Sequence, residues 1–389
     1  MRLFYLEKTG THNILHILGL KIKLFRSSAR KARKWLRDSV IPEKMTYYPQ
    51  CNRKSKDEIV NEIFGLVFSD KGAFDCPTTT TQYFQFGCDR IGYDVHDFVF
   101  RKEYNTVRDK LNGDIACIYK YKSIISTYLN AKGVKVSCAI GQISPDGKTI
   151  AVEQSGKVNF IDWLKEYHAP VFCKPNDGLQ GQSCYKVAIE NGKLVINGRI
   201  SDYTSELGGL IVEPLIVQHQ ELRKISPNCV NPIRIRTINV DGQIQNISHY
   251  ICIGSPTSYW SNAVSCGVII GLDADGNSIT DAFCEVTGME GRFQVIPGTD
   301  IEVKDIKVPY MKEAIELAKA AHLTTPQIHS IGWDIAITDE GPIVIEGNGS
   351  YGSGTYEAVS GIGERELFER YFVSRLQDPK KENSTSVCG

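Results

Sequence analysis

The chain reads as an α+β protein. Three observations carry that reading: strands outnumber helices after about residue 120, the strands come in runs, and hairpin-type turns separate them. The turn signals are SPDGKT, ENGK, VDGQ, DADGN and DEGP, each set between short β-branched runs. Helical patterns stand apart from these runs. One begins with Pro309 near its first turn and extends to about His322, and another runs from about Glu364 to Leu376.

With 389 residues, the chain suits two or three lobes. Its 42% hydrophobic and 23% charged content is enough for a sizeable core. The formal net charge is zero, so no global charge draws the chain to nucleic acid or to an anionic membrane. Residues 14–35 are apolar first (Ile14, Leu15, Ile17, Leu18, Leu20) and then basic (Arg26, Arg30, Lys31, Arg33, Lys34, Arg37). Two readings stand: a helix with a solvated basic face, or an interfacial helix making peripheral contact with anionic lipid. Residues 54–120 mix helical and irregular patterns without a repeat, and the threonine run at residues 78–81 reads as a loop. The tail, residues 379–389, is expected to be disordered.

The 12 cysteines show no C-x-x-C pair and no zinc-finger spacing, and several lie in apolar runs, such as Cys173 and Cys252. Free thiols in a reducing cytosol fit this pattern. No apolar run approaches the length of ~20 residues that crosses a bilayer, and Glu7 and Lys8 stand where a signal peptide needs its apolar stretch. The expected location is cytoplasmic, with the inner membrane face open through the basic segment.

The strongest chemical signal is IGWDIAITDEGPIVIEGN, residues 331–348. Two apolar strands flank a turn, and alternation places Glu346 and Asn348 on one face. A three-residue loop, residues 339–341, would pair Thr338 with Pro342 and bring Asp334 opposite Glu346, with Gly341 at a positive φ. Two carboxylates and an amide oxygen on one face repel each other unless a cation joins them. A hard divalent ion, magnesium shared with phosphates, resolves the conflict. The plainer alternative is an amphipathic hairpin with its polar face in solvent.

Three weaker signals precede it. In VFCKPNDGLQGQSCYKV, residues 171–187, Lys174 ends a strand, Gly178 and Gly181 lie in a loop, and a second strand follows. Such glycines let backbone N–H groups approach phosphate, yet the segment reads equally as a plain hairpin. It is not a Walker A loop, which would run into a helix. In GGLIVEPLIVQHQEL, residues 208–222, an apolar strand is interrupted at Glu213-Pro214, where the Pro214 carbonyl and Leu215 N–H offer an acceptor and a donor to an adenine edge. A proline-bent edge strand explains the same residues. In NPIRIRTINV, residues 231–240, Arg234 and Arg236 share a strand face, where a guanidinium suits phosphate or carboxylate; surface arginines are the alternative. DADGNSITD is a turn, since its glycine is at the fourth position where an EF-hand needs it at the sixth.

The order of these signals, with Q-H, N-x-I-R-I-x-T, I-G-W-D-I-A-I and G-P-I-V-I-E-G-N, resembles the sugar-transfer-associated family of the ATP-grasp superfamily over roughly residues 122–349. The resemblance implies two α+β lobes clasping ATP and a link to cell-surface polysaccharide biosynthesis. The implied layout is a family-specific region at 1–115, an N-terminal lobe at 116–225 and a C-terminal lobe at 226–378. Lys122 and Lys174 would contact ATP, with Lys120 close enough to Lys122 to confuse the assignment. Residues 176–183, including Gly178, Gly181, Gln182 and Ser183, would cover the phosphates. Glu213, Pro214 and Leu215 would form the adenine hinge, and His219 or Glu221 would touch the ribose. Arg234, helped by Asn231, would hold the transferred phosphoryl group, and Asp334, Glu346 and Asn348 would hold Mg2+. The implied reaction is ADP-forming ligation of a small-molecule carboxylate to an amine. A sugar kinase on the same fold and a non-catalytic ATP-binding module are the alternatives. Two departures fall where an acceptor would bind: Ser261-Asn262 and Cys266-Gly267 replace the family's usual pairs, and its His-Pro is absent. No oligomeric state follows from the sequence.

Overall fold

The computed structural model describes residues 30–68, 76–152, 156–177, 183–254, 267–286, 289–352 and 354–377. Residues 14–29, Gly178, Gly181, Gln182, Ser261, Asn262, Cys266 and the tail from 379 lie outside these.

The chain divides into two units, residues 1–103 with 361–365, and residues 104–360 with 366–389. In the first unit the described part of the basic segment is helical from Arg30 to Lys44, with a π-helical turn at Leu36–Val40. Ala32, Leu36, Val40 and Ile41 are buried, while Arg30, Lys31, Lys34 and Arg37 are exposed. Helices α1 (Lys56–Phe68) and α2 (Cys76–Gln85) follow. The threonine run therefore lies in a helix, which corrects the loop expected there. Pro77 is compatible with the first turn, and burial of Thr79, Thr80, Tyr83 and Phe84 outweighs the modest helix propensity of threonine.

The second unit contains most of α3 (Arg101–Asn112), then α4 (Lys122–Ala131) and two antiparallel sheets. The first sheet is built from β1 (Gly141–Ile143), β2 (Thr149–Val152), β3 (Gly156–Asn159), β4 (Val171–Lys174), β5 (Tyr185–Glu190), β6 (Lys193–Ile196), β7 (Arg199–Ile200) and β8 (Ile211–Pro214), in the order 3-2-1-8-4-5-6-7. Its core packs Ile143, Ile150, Val171, Cys173, Val187 and Val212 against Phe160 and Leu164 of α5 (Phe160–Tyr167). After α6 (Gln220–Ile225), the second sheet comprises β9 (Ile233–Val240), β10 (Gln243–Gly254), β11 (Gly267–Gly271), β12 (Ala282–Cys284), β13 (Gly291–Phe293), β14 (Ser330–Thr338) and β15 (Gly341–Asn348), in the order 13-12-11-10-9-14-15. Turns Asn191-Gly192 and Asp241-Gly242 have positive φ at both residues, the form two-residue hairpins favour.

Helix α7 (Met311–Leu323) buries Met311, Ala314, Ile315, Ala318, Ala321 and His322, spaced to line one face, on the second sheet. It starts two residues after Pro309, with Tyr310 at the N-cap. The C-terminal helical run extends from Arg365 to Leu376 through a π-helical segment at Glu369–Val373. Tyr119, Ile125, Leu129, Val134 and Val136 belong to the core of the second sheet. Residues 116–136 therefore pack with the later lobe, although the sequence grouped them with the earlier one. Residues 135–137 run along β15, with Ser137 N–H donating to Val344 O at 2.9 Å and Val344 N–H to Lys135 O at 3.0 Å. Among the described residues no helix is long and apolar enough to cross a membrane.

Candidate active site

The site begins on the hairpin β14–β15. Its turn is shorter than the sequence suggested: Thr338 pairs with Gly341 and Ile337 with Pro342. An irregularity between Asp334 and Ile335 shifts the register by one residue, so Asp334 still faces Glu346. Gly341 has φ 98°, as the turn requires. Asn348 Nδ2 lies 3.5 Å from Asp334 Oδ2 and 3.3 Å from Glu346 Oε1. Gly347, between the two polar residues, points to the opposite face. A Cβ there would come within 2.6 Å of Tyr119 Cε1 and 2.7 Å of Trp333 Cζ3, so the E-G-N spacing follows from the packing behind the site. Trp333 donates from Nε1 to Thr237 Oγ1 at 2.9 Å, and Thr237 meets His322 at 2.7 Å, which fixes the back of the hairpin. Its end is held by Asn112, whose Nδ2 donates to Ser330 O at 2.8 Å and Gly349 O at 2.7 Å. No motif marks this brace from α3.

Arg234 on β9 pairs with Asp334 from the other side. Its fork grips the carboxylate through Nε to Oδ1 at 2.6 Å and Nη2 to Oδ2 at 2.9 Å. Burial works against the Arg234 charge, and Asp334 more than restores it. Burial pushes the Asp334 carboxyl up; Arg234 opposes this and Glu346 adds to it. For Glu346, burial acts upward, but Lys174 and Lys122 outweigh it and hold the group below its usual range. Arg236 also faces this side; it is buried, donates to Ser248 and lies over the Tyr356 ring at 5.7 Å.

The first sheet adds a second charged pair. Lys174, at the end of β4, and Glu213, on β8, share an inner face and meet at 2.8 Å, with side chains only 6% and 4% exposed. Ser137 Oγ donates to Glu213 Oε2 at 2.9 Å. Burial pulls the Lys174 ammonium down, but Glu213 and Glu346 together hold it above its ordinary value. Lys122, at the start of α4, lies 3.8 Å from Glu346 Oε2. Lys120 is exposed, so Lys122 is the lysine that faces the site. Asn176, just after β4, accepts Lys122 N–H at 3.0 Å and Ser123 N–H at 2.9 Å, tying the loop's start to the helix. Ser183, at the far end of that loop, is exposed with φ 56°. Among the described residues the ion pairs of the site thus join three cationic side chains (Lys122, Lys174, Arg234) with three anionic ones (Glu213, Asp334, Glu346), and Arg236 is a further cation on the same face.

Other candidates fall differently. Strand β8 ends at Pro214, where the sequence suggested an interrupted but continuing strand; proline cannot extend the ladder. The Leu215 N–H has no hydrogen-bond partner among the described residues. His219 caps α6, its Nδ1 accepting Glu221 N–H at 3.2 Å, while Glu221 pairs with Lys224 at 2.7 Å on the exposed side. Asn231 does not fit the helper role that the resemblance implied. It is fully buried, donates to Gln218 Oε1 and Leu222 O at 3.2 Å each, and accepts Gly254 N–H at 3.1 Å, so both its donors are spent on the scaffold.

Oxygen donors alone line the hairpin, the set a hard divalent cation prefers. Among the described residues no cluster of three or more His, Cys, Asp or Glu side chains offers a competing site. An amide turn would aim Asn348 Oδ1, in place of the Nδ2 that now faces the two carboxylates, at a cation. The residues present thus fit magnesium.

No curated protein matches the sequence. Among solved structures, the ATP-grasp ligase PsnB complexed with minimal precursor is 13% identical with TM-score 0.37, covering 68% of this chain and 64% of its own. D-alanine–D-alanine ligase from Bacillus anthracis, complexed with ATP, is 14% identical with TM-score 0.37, covering 68% of this chain and 69% of its own. The family model described as sugar-transfer associated ATP-grasp matches residues 96–370, spanning both sheets and every candidate residue above. The chain belongs to the sugar-transfer associated ATP-grasp family and has its α+β ATP-grasp fold.

Proposed function

We propose that the protein is an ATP-dependent ligase that activates a small-molecule carboxylate as an acyl phosphate and joins it to an amine, in the modification of a cell-surface polysaccharide. The observation that carries this reading is the row Glu346, Asp334, Arg234 across three neighbouring strands, faced by Lys122 and Lys174. A carboxylate-bearing side next to a guanidinium provides for a cation and a phosphoryl group at adjacent positions. The six charges pair among themselves and Arg236 adds a cation on the same face, which suits an anionic ligand such as ATP accompanied by a divalent cation. Asp334, Glu346 and Asn348 would hold magnesium, which supplies charge neutralisation at the phosphate oxygens.

In this reading Lys174 exchanges Glu213 for a phosphate oxygen, and Arg234 turns its fork from Asp334 to the transferred group. Leu215 N–H and the Pro214 carbonyl meet the adenine edge. Gly178, Gly181, Gln182 and Ser183 cover the phosphates. The chemistry asks the chain for position and charge rather than for a covalent partner. Cys51, Cys88, Cys117, Cys138, Cys173, Cys184, Cys229, Cys252 and Cys284 form no disulfide, which supports a cytoplasmic setting.

The test is incubation with Mg-ATP and pools of amino acids and uronates, followed by separation of nucleotides and phosphate. ADP with equimolar free phosphate supports the ligase. ADP without free phosphate points to a sugar kinase, and tight binding without turnover points to a non-catalytic module.

A further inference from the structure

The second sheet carries the site row one strand further. Tyr250 on β10 pairs with Arg234 on one side and Gly271 on the other, so its side chain shares the face of Arg234, Asp334 and Glu346. The residue is only 5% exposed. Its hydroxyl has no hydrogen-bond partner among the described residues, although the phenol senses Arg234, Asp334 and Arg236. Among the described residues the hydroxyl is not one of the buried atoms left without a partner, so the ring is buried while its oxygen stays within reach of solvent or a ligand on this face, a contact that phenylalanine would not offer. Packing does not explain the oxygen: Ile269 and Phe283, on the same face of β11 and β12, are apolar and buried.

Position decides what the hydroxyl meets. On the hairpin side of Arg234 stand Asp334 and Glu346, the side that the cation and the phosphates occupy in the reading above. A carboxylate approaching Arg234 is therefore directed to the opposite side, where Tyr250 is the neighbour. We propose that Tyr250 and Arg234 form the subsite for the substrate carboxylate, with the Tyr250 hydroxyl donating a hydrogen bond to one of its oxygens. Burial pushes the phenol up to about 12 against the pull of Arg234, so it remains a donor at neutral pH. The proposal rests on the acyl-phosphate reading. In that step a carboxylate oxygen forms a bond to the γ-phosphorus, the bond to the bridging oxygen breaks, and ADP leaves with the electron pair. Tyr250 holds the attacking group beside Arg234 while this occurs.

The test uses the full chain with ATP, magnesium, hydroxylamine and the panel of amino acids and uronates, reading hydroxamate as the trapped acyl phosphate. Tyr250→Phe should raise KM for the accepted acid about 10- to 100-fold, the worth of one hydrogen bond to a charged group. Mg-ATP affinity by calorimetry should stay within about twofold. An unchanged KM, or a parallel fall in Mg-ATP affinity, would overturn the assignment while leaving the ligase reading intact. Failure of the wild type to form hydroxamate with any acid would remove the acyl-phosphate reading itself, and this inference with it.

Discussion

The two sheets supply charge to the site in different ways. In the second sheet Glu346, Asp334 and Arg234 are direct cross-strand neighbours, and Asp334 and Glu346 belong to one hairpin. In the first sheet Lys174 and Glu213 come from β4 and β8, strands separated by three others in sequence, and they form a pair nearly closed to solvent. In the proposed reading the hairpin row is a ligand site, and its Arg234–Asp334 pair keeps 19% and 15% of the side chains exposed. The Lys174–Glu213 pair is also part of the scaffold, because either partner alone is left charged and buried.

That contrast yields an ordered set of outcomes. The largest is in stability: Glu213→Ala strands Lys174 and should cost about 3–5 kcal/mol in denaturant unfolding, nearer the lower end because Glu346 remains in range. Replacing both partners by neutral residues of like shape, Lys174→Met with Glu213→Gln, should recover most of the loss. An equal cost for single and double variants would break the distinction between the sheets.

Next comes catalysis. Arg234→Ala should lower kcat by roughly 10²–10³ while leaving Mg-ATP affinity close to wild type, since its contact strengthens as charge shifts. Arg234→Lys should rescue only partly, for a point charge cannot reproduce the fork that now grips Asp334 at 2.6 and 2.9 Å. Steady-state kinetics on both variants decides; an unchanged kcat would remove Arg234 from the reaction.

Lys174→Ala should weaken Mg-ATP binding about 10- to 150-fold. Because it also leaves Glu213 buried and unpaired, calorimetry must be accompanied by a melt, and the comparison with Lys174→Met plus Glu213→Gln separates binding from folding.

The smallest effect is acid sensitivity. Burial depresses His322 on α7 and His329, just before β14, to about 4. Both are neutral in the fold and take up protons more readily when unfolded. Their contribution is therefore complete above about 6.5 and is lost as pH falls toward 4. Moving from pH 7 to pH 5 should cost about 2 kcal/mol for each histidine, read by denaturant midpoints. His322→Gln should flatten that slope; a slope unaffected by the change would place the acid sensitivity elsewhere.

What could be read from the sequence follows the same division. Residues 331–348 hold their own partners, so alternation and a glycine turn were enough to bring Asp334 opposite Glu346, even though the shorter turn and the irregularity after Asp334 were not visible. Lys174 and Glu213 were both singled out, but as a phosphate contact and a hinge residue; nothing local says that β8 lies beside β4. Asn231 stood out for its motif, and only the packing reveals that Gln218, Leu222 and Gly254 use its amide. Tyr250 carried no motif, since one aromatic in a strand is ordinary until the register sets it beside Arg234. Burial, not propensity, decides the threonine helix, so its local sequence reads as a loop.

Calorimetric titration of ATP, with and without magnesium, tests the central claim most directly. The wild type should bind ATP at least about tenfold more tightly with magnesium, and the double variant Asp334→Asn, Glu346→Gln should lose that dependence. Equal affinity in the two conditions for the wild type would contradict the assignment of the hairpin as the site where a cation and ATP meet.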